Sequence, residues 1–549
     1  MKFAFLVALP ILWFLAIGRY GWSDTDDGFI LSYSWRIVNG ELPYKDFIYV
    51  RPPLSPLLHS IWFSIVPTDY VYAFTRLIVI LEIEIYCLLG SFVLCKGLPS
   101  LKWAANDWFA VTIASFLVSV SQFTPMAWHT VDGILFSVLG LSVVVSFLSS
   151  WTTVLSAVLM CLAAMTKQSF YPMPIICLLY LILAKRRRDV AVYSVTVFIV
   201  LLVSYVVLNE RGMWPDFLNQ TVGASSPQEA IQAGFVAYAK YGGRFFLAFG
   251  IGLFCLSFAT RLGARRLPAY QLILLFVTIA IGLYGAVLAV TKAWVSTAPI
   301  GCFQFLFIAA VLFAIILWFQ QRRNAIVFFL FLTVSWCASI SWGFRTPALF
   351  SPPLLLGGIS FAGWFARDLG ASADSPRKSL RYLLVGVLIL ALLGSVQPYR
   401  DIDGRLSREC RLGEVEEKFR FIVSGPKTCD KLAEFNKLAT ELDGRVIVLP
   451  AFPLANFVLG HRSPMPLDWP MTVEMGKAHQ TARTRLEEHV DYILLDTGAA
   501  EGFNHTKWHV PFIELVKTEW KKTFEGHWYA VYENPSKVRN PLPVRRESS

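Results

Sequence analysis

Charged residues are scarce in this 549-residue chain: 16% of positions, against 55% hydrophobic and 15% aromatic. A water-soluble protein of this size could not cover so apolar a composition, which excludes an ordinary globular enzyme. The glycine-rich phosphate loops of soluble nucleotide-binding enzymes are lacking too: there is neither a P-loop nor a dinucleotide-binding fingerprint. The nine cysteines include no CxxC pair and no zinc-type spacing. No internal repeat is visible, and Gly- or Pro-broken spans do not recur at matching positions in two halves. That counts against the build of many transporters, so a flippase or transporter of lipid-linked glycans is the alternative reading rather than the first.

What is present is a succession of apolar runs, each long enough for a hydrocarbon core of ~30 Å. The sequence predicts about thirteen spans, near 3–18, 71–95, 108–120, 132–149, 152–166, 171–184, 190–208, 244–260, 269–290, 303–319, 325–341, 353–366 and 382–396. The run 54–66 is short and proline-rich and reads as an interfacial helix. The net charge of +11 does not point to nucleic acid, because the cations cluster in short connections. Lys185–Arg188, Arg261 with Arg265 and Arg266, Arg322–Arg323, and Arg377–Lys378 with Arg381 occupy every second connection. By the positive-inside rule these connections and the N-terminus are cytoplasmic. The loop from residue 19, the turn at His129, Lys167-Gln168, the loop at Arg345 and everything beyond about 397 are then outside. The first run is read as an uncleaved span, since no small-residue cleavage site precedes the acids that follow it.

The expected fold is a polytopic α-helical membrane protein, residues 1–396, with a first external loop over 19–70. A small extracytoplasmic α/β domain is expected over 397–534, and a disordered tail over 535–549. In that domain 431–442 and 475–488 read as helices, and 445–449, 492–495 and 528–532 as strands. Seven cysteines lie in apolar runs and pack as small hydrophobes. Cys410 and Cys429 stand alone in the external domain, where an oxidising compartment favours a disulfide between them.

The most informative stretch runs from Ser23 to Pro53. Three acids, Asp24, Asp26 and Asp27, stand at the exit of the first span, where charge is costly and uncommon without a reason. Phe29, Ile30, Tyr33, Ile37 and Val38 recur at helical spacing, with Gly40 as the stop, which predicts an amphipathic helix along the membrane surface. Ser23 and Asp26 have the spacing of a capping box. Acids in the first turn complement a helix dipole. A carboxylate facing a membrane-held substrate also suits a general base, which would take the proton from an attacking hydroxyl or amine. Within a predicted span, Glu82 and Glu84 are two residues apart and face different sides. They are expected to pair with a neighbouring span.

Asp26-Asp27-Gly28, then Gly40, Pro43-Tyr44-Lys45-Asp46-Phe47 and Pro52-Pro53 resemble the first external loop of the GT-C superfamily. These are multispan glycosyltransferases with polyprenyl-phosphate sugar donors, and the branch resembled is that of bacterial protein O-mannosyltransferases and lipid A aminoarabinose transferases. The family usually has Asp-Glu where this chain has Asp26-Asp27, and the first acid is implicated as the base. Trp128-His129-Thr130-Val131-Asp132-Gly133 and Ala164-Met165-Thr166-Lys167-Gln168 are similar to two further family pieces, in the right order. The resemblance covers roughly the first 190 residues well. It implies an inverting sugar transfer at the outer face of a bacterial inner membrane, onto a lipid, glycan or protein acceptor. Asp26 and Asp27 would be catalytic, and Lys167, Arg51 or Arg345 would bind the donor phosphate. Asp24, Tyr44, Lys45, Asp46, His129, Asp132 and Gln168 would contact substrate. A divalent metal is left open, with His129 joining Asp132 or a first-loop aspartate as ligands.

Overall fold

The computed structural model describes residues 2–121, 125–223, 232, 236, 238, 298–340, 347–368, 403, 408–503 and 509–536. Expected spans near 244–260, 269–290 and 382–396 lie outside these residues. At each of the other expected positions the chain is helical: Lys2–Trp13 running into Phe14–Gly18, Thr68–Gly97, Trp108–Ser121, His129–Ser146, Ser150–Thr166, Pro172–Leu183, Arg187–Glu210, Ala298–Gln320, Arg322–Ser339 and Pro352–Asp368. Four helices among the described residues are long and apolar enough by themselves to cross a membrane. The longest, Thr68–Gly97, would extend about 45 Å at 1.5 Å per residue. The proline-rich run forms a helix as well, Leu54–Ile65.

Short sequence signals fix how these helices meet. Ser149 opens the Ser150–Thr166 helix with a reciprocal cap: its hydroxyl accepts from the Thr152 N–H at 3.2 Å, and the Thr152 hydroxyl accepts from the Ser149 N–H at 3.3 Å. That helix thereby folds back along His129–Ser146. At the far end, Gly133 lets the chain beyond Thr166 press against the first turn of His129–Ser146. A Cβ on Gly133 would lie 2.3 Å from the Phe170 ring. The connection holding Lys167 is thus seated against the start of that helix.

The polar C-terminal segment folds as a small α/β unit. Its four-stranded sheet has the order β3-β4-β6-β5, with β3 Val446–Leu449, β4 Tyr492–Asp496, β5 Lys521–Glu525 and β6 Tyr529–Glu533. β3 and β4 are parallel, and the other pairings are antiparallel. A separate pair, β1 Cys410–Arg411 and β2 Val423–Ser424, is antiparallel. Cys410 and Cys429 are joined as a disulfide, with Cα atoms 6.4 Å apart. The helix Pro426–Glu441 packs Phe435 on Phe452, ring centres 4.8 Å apart.

This unit is built onto the first loop. The Gly21 N–H donates to Val423 O, the Val423 N–H to Arg19 O, and the Ile48 N–H to Pro466 O. Trp22 lies between Phe419 and Phe452. The contact corrects one expectation. The helix predicted to lie along the membrane surface is present as Phe29–Val38, but Ser32, Ser34 and Arg36 on its polar side are buried along with Phe29, Ile30 and Tyr33. The C-terminal unit covers it: Arg36 donates to Met465 O at 3.0 Å and pairs with Asp468 and Glu41, and Trp35 packs on Phe457. The helix stops where expected. The Gly40 N–H bonds Ile37 O and the Glu41 N–H bonds Arg36 O, a Schellman ending that needs the left-handed φ of +83° at Gly40.

Candidate active site

The acids at the exit of the first helix separate into three environments. Asp27 lies in the turn Asp26–Gly28, and one of its oxygens, Oδ2, accepts from Arg76 at 2.6 Å, from the Tyr72 hydroxyl at 3.1 Å and from the Ser23 N–H at 3.1 Å. Arg76 in turn donates to Gly18 O at 3.1 Å. The expected capping partner is thereby corrected: Asp27, not Asp26, reaches back to the Ser23 backbone. The Ser23 hydroxyl meets Thr25 instead. Asp24 shares Lys431 with Asp496, a residue of β4. Burial raises Asp24 above the ordinary carboxylate range, opposed by Lys431 and reinforced by Asp496. Asp26 is buried, 6% exposed, one turn before Phe29.

Phe29 links that turn to a second cluster. Its ring lies under the guanidinium of Arg51 at 5.1 Å and against Trp128 at 5.7 Å, and Trp128 stacks on His129 at 4.6 Å. Arg51 is buried and forms a two-pronged ion pair with Glu474, at 2.5 and 2.6 Å. Lys167, in the connection before Pro172–Leu183, is also buried and donates to the Thr130 hydroxyl at 3.2 Å. Burial first, then the charge of Arg51, holds the Lys167 ammonium well below the ordinary lysine range, with Glu474 pulling the other way. Lys167 and Arg51 both act on His129. Arg51 is thus paired with Glu474, and buried Lys167 lies within electrostatic reach of both.

Several polar atoms around this cluster have no hydrogen-bond partner: both ring nitrogens of His129, the Tyr49 hydroxyl and one oxygen of Asp132. Tyr49 feels Arg51, Glu474 and Asp132. Leaving such a group unpaired in a buried place costs about 1–3 kcal/mol each, and ligands or ordered water commonly satisfy them. The expected metal pairing of His129 with Asp132 is not what forms. Asp132 faces His59 of the Leu54–Ile65 helix at 3.2 Å, and Glu82 of the neighbouring Thr68–Gly97 helix lies within electrostatic reach of it. No group of three His, Cys, Asp or Glu side chains among the described residues is placed to hold a metal. The expectation that Glu82 meets a neighbouring span has its counterpart in this proximity. Glu84 is buried with neither carboxylate oxygen hydrogen-bonded.

The remaining candidates shape the loop. The Tyr44 hydroxyl donates to Arg51 O at 2.7 Å, while the Tyr44 carbonyl accepts from Gln220. Asp46 closes the turn by accepting from the Leu42 N–H at 2.7 Å. Lys45 and Asp46 are exposed at the tip. Gln168 donates to Val50 O at 2.6 Å, fastening the Lys167 connection to the strand-like run that ends in Arg51. Arg345 lies outside the described residues. Glu474 and His59 are the residues sequence reasoning missed. Neither stands beside a motif, and only the folded C-terminal unit brings Glu474 to Arg51.

No protein-family model matches the chain, and no curated protein matches it. Among solved structures it is similar to the oligosaccharyltransferase AglB of Archaeoglobus fulgidus in complex with an inhibitory peptide and a dolichol-phosphate (TM-score 0.47, 13% identity, 99% of this chain and 75% of that one). The same archaeal enzyme in complex with Zn and sulfate gives a TM-score of 0.46 at 14% identity, over 99% of this chain and 73% of that one. ArnT of Cupriavidus metallidurans in the apo state gives 0.46 at 12% identity, over 98% and 99%. At this identity and overlap the likeness transfers no residue role to this chain.

Proposed function

We propose that this chain is an integral-membrane glycosyltransferase of the GT-C kind. It would move a sugar from a polyprenyl-phosphate donor to an acceptor on the outer face of a bacterial inner membrane. The observation that carries the reading is the cluster linked to the Asp26 turn through the Phe29 ring. Arg51, Lys167, His129 and Tyr49 gather there in a buried place, offering positive charge and unused hydrogen-bonding atoms. Such a place suits a phosphate. Arginine matches two phosphate oxygens at once, and lysine supplies a point charge.

In the proposed step the acceptor O–H or N–H attacks the anomeric carbon from the face opposite the phosphate. The bond between that carbon and the phosphate oxygen breaks, and its electron pair leaves with the polyprenyl phosphate. Asp26 takes the acceptor's proton. One displacement inverts the anomeric configuration. Arg51 and Lys167 stabilise the charge that grows on the departing phosphate, in a site where low dielectric makes that stabilisation large. Asp27, engaged by Arg76, Tyr72 and Ser23, holds the turn.

The reading is tested with purified protein, a polyprenyl phosphate bearing labelled sugar, and envelope lipids and glycans as acceptors. Label should pass into an acceptor and free polyprenyl phosphate should accumulate. Movement of the intact donor across a vesicle membrane with no transfer would favour the flippase instead.

A further inference from the structure

We propose that Glu474 and the donor's phosphate compete for the same position on Arg51, so that donor binding displaces the carboxylate. The inference rests on the donor reading above and adds a residue from the C-terminal unit to the binding step.

The geometry points there directly. Arg51 and Glu474 face each other as two forks, Nη1 to Oε2 at 2.5 Å and Nη2 to Oε1 at 2.6 Å, both side chains about 95% buried. A phosphate presents two oxygens to a guanidinium in the same way. Carboxylate and phosphate are therefore alternatives on one fork. Lys167 lies within electrostatic reach of both members of the pair. If the phosphate entered with Glu474 still in place, two like charges would be brought together away from water, which is unfavourable.

Glu474 also sits on an element suited to move. It is carried by a four-residue helix, Thr472–Met475, bounded by Pro470 and by Gly476 at φ +53°. Thr472 ties that helix to His509 O through its N–H and its hydroxyl. Gly476 offers a backbone with no Cβ to resist rotation. Around the fork, the hydroxyl of Tyr49 and both nitrogens of His129 lack partners while Glu474 is in place, so the carboxylate fills only part of the site. An anion with four oxygens would engage more of it.

The test measures the affinity of wild-type protein and variants in detergent for undecaprenyl phosphate without sugar, with the uncharged polyprenol as control. Removing the competing carboxylate should help the ligand: Glu474→Gln is expected to bind about tenfold tighter, and Arg51→Gln about tenfold or more weaker. A purely structural ion pair predicts the reverse for Glu474→Gln, namely weaker or unchanged binding, and that result overturns the inference while leaving the donor reading standing. Wild-type protein that binds undecaprenyl phosphate no better than polyprenol overturns the donor reading itself, and the inference with it. A structure of the wild-type protein with the lipid phosphate bound gives the same test without a variant. Glu474 should have left Arg51, and an intact fork beside a bound phosphate would refute the displacement.

Discussion

Of the two neighbouring acids, Asp27 pairs at 2.6 Å with Arg76, whose guanidinium is buried in the Thr68–Gly97 helix. Removing one member of a buried pair typically costs about 3–5 kcal/mol. Asp27→Asn should therefore lower thermal stability markedly in detergent, and an unchanged melting temperature would contradict the structural part given to this pair. Lys167 gives a second expectation at this scale. Its ammonium is held below the ordinary lysine range by burial and by Arg51, with Glu474 opposing and His129 beside it. An anion binds the charged form, so affinity for polyprenyl phosphate should fall as pH rises, beginning below the range where an exposed lysine titrates. Lys167→Arg should move the fall to higher pH, and a pH-independent wild-type affinity would contradict the role. Asp26 was singled out in the sequence because a charge beside an apolar run is costly, and Arg51 and Lys167 because of the family resemblance. Glu474 was not, since an acid in an ordinary α/β segment carries no such mark, and Arg51 lies 423 residues away.

Among the described residues four ion pairs fasten the first loop to the C-terminal unit: Arg36 with Asp468, Arg51 with Glu474, Asp69 with Arg420, and Asp24 with Lys431. The last of these is uneven, since Lys431 faces Asp496 as well. Because Asp24 is raised above the usual carboxylate range, its charge lowers stability at neutral pH, and that cost vanishes as pH falls through its folded pKa. Asp24→Asn should accordingly change stability by less than about 1 kcal/mol, while Lys431→Met, which leaves two carboxylates facing each other, should cost roughly 3–5 kcal/mol. Chemical denaturation of the two variants checks this, and a larger loss for Asp24→Asn would contradict it. Periodicity marked the helices well, including Phe29–Val38 and its Gly40 stop. It could not show that this helix is covered on both sides, because the covering residues come from the far end of the chain. Strand β5 was missed for a different reason. Lys521–Glu525 is exposed along its whole length, an edge strand protected by its charges and without the apolar alternation that marks a half-buried strand.

At the scale of the whole molecule, the alternation of basic connections in the sequence predicts that the acid turn, Lys167 and the C-terminal unit lie on one side of the membrane, outside. The ion pairs and backbone bonds between the first loop and that unit require them to share a compartment. A phosphatase fused after Ser549 should be active outside the cytoplasm, and a fluorescent protein that folds only in the cytoplasm should stay dark there. The reverse pair of results would invert the orientation. Composition and charge pattern made the membrane class legible, since 55% hydrophobic content leaves few alternatives. They say nothing of sugar or acceptor. The most direct test of the central claim is the rate of labelled sugar transfer from polyprenyl phosphate by purified wild-type and Asp26→Asn protein, compared at equal folded fraction. A lost general base predicts a fall of ~10²–10⁴-fold with the protein intact. Transfer by Asp26→Asn at or near the wild-type rate would contradict the account.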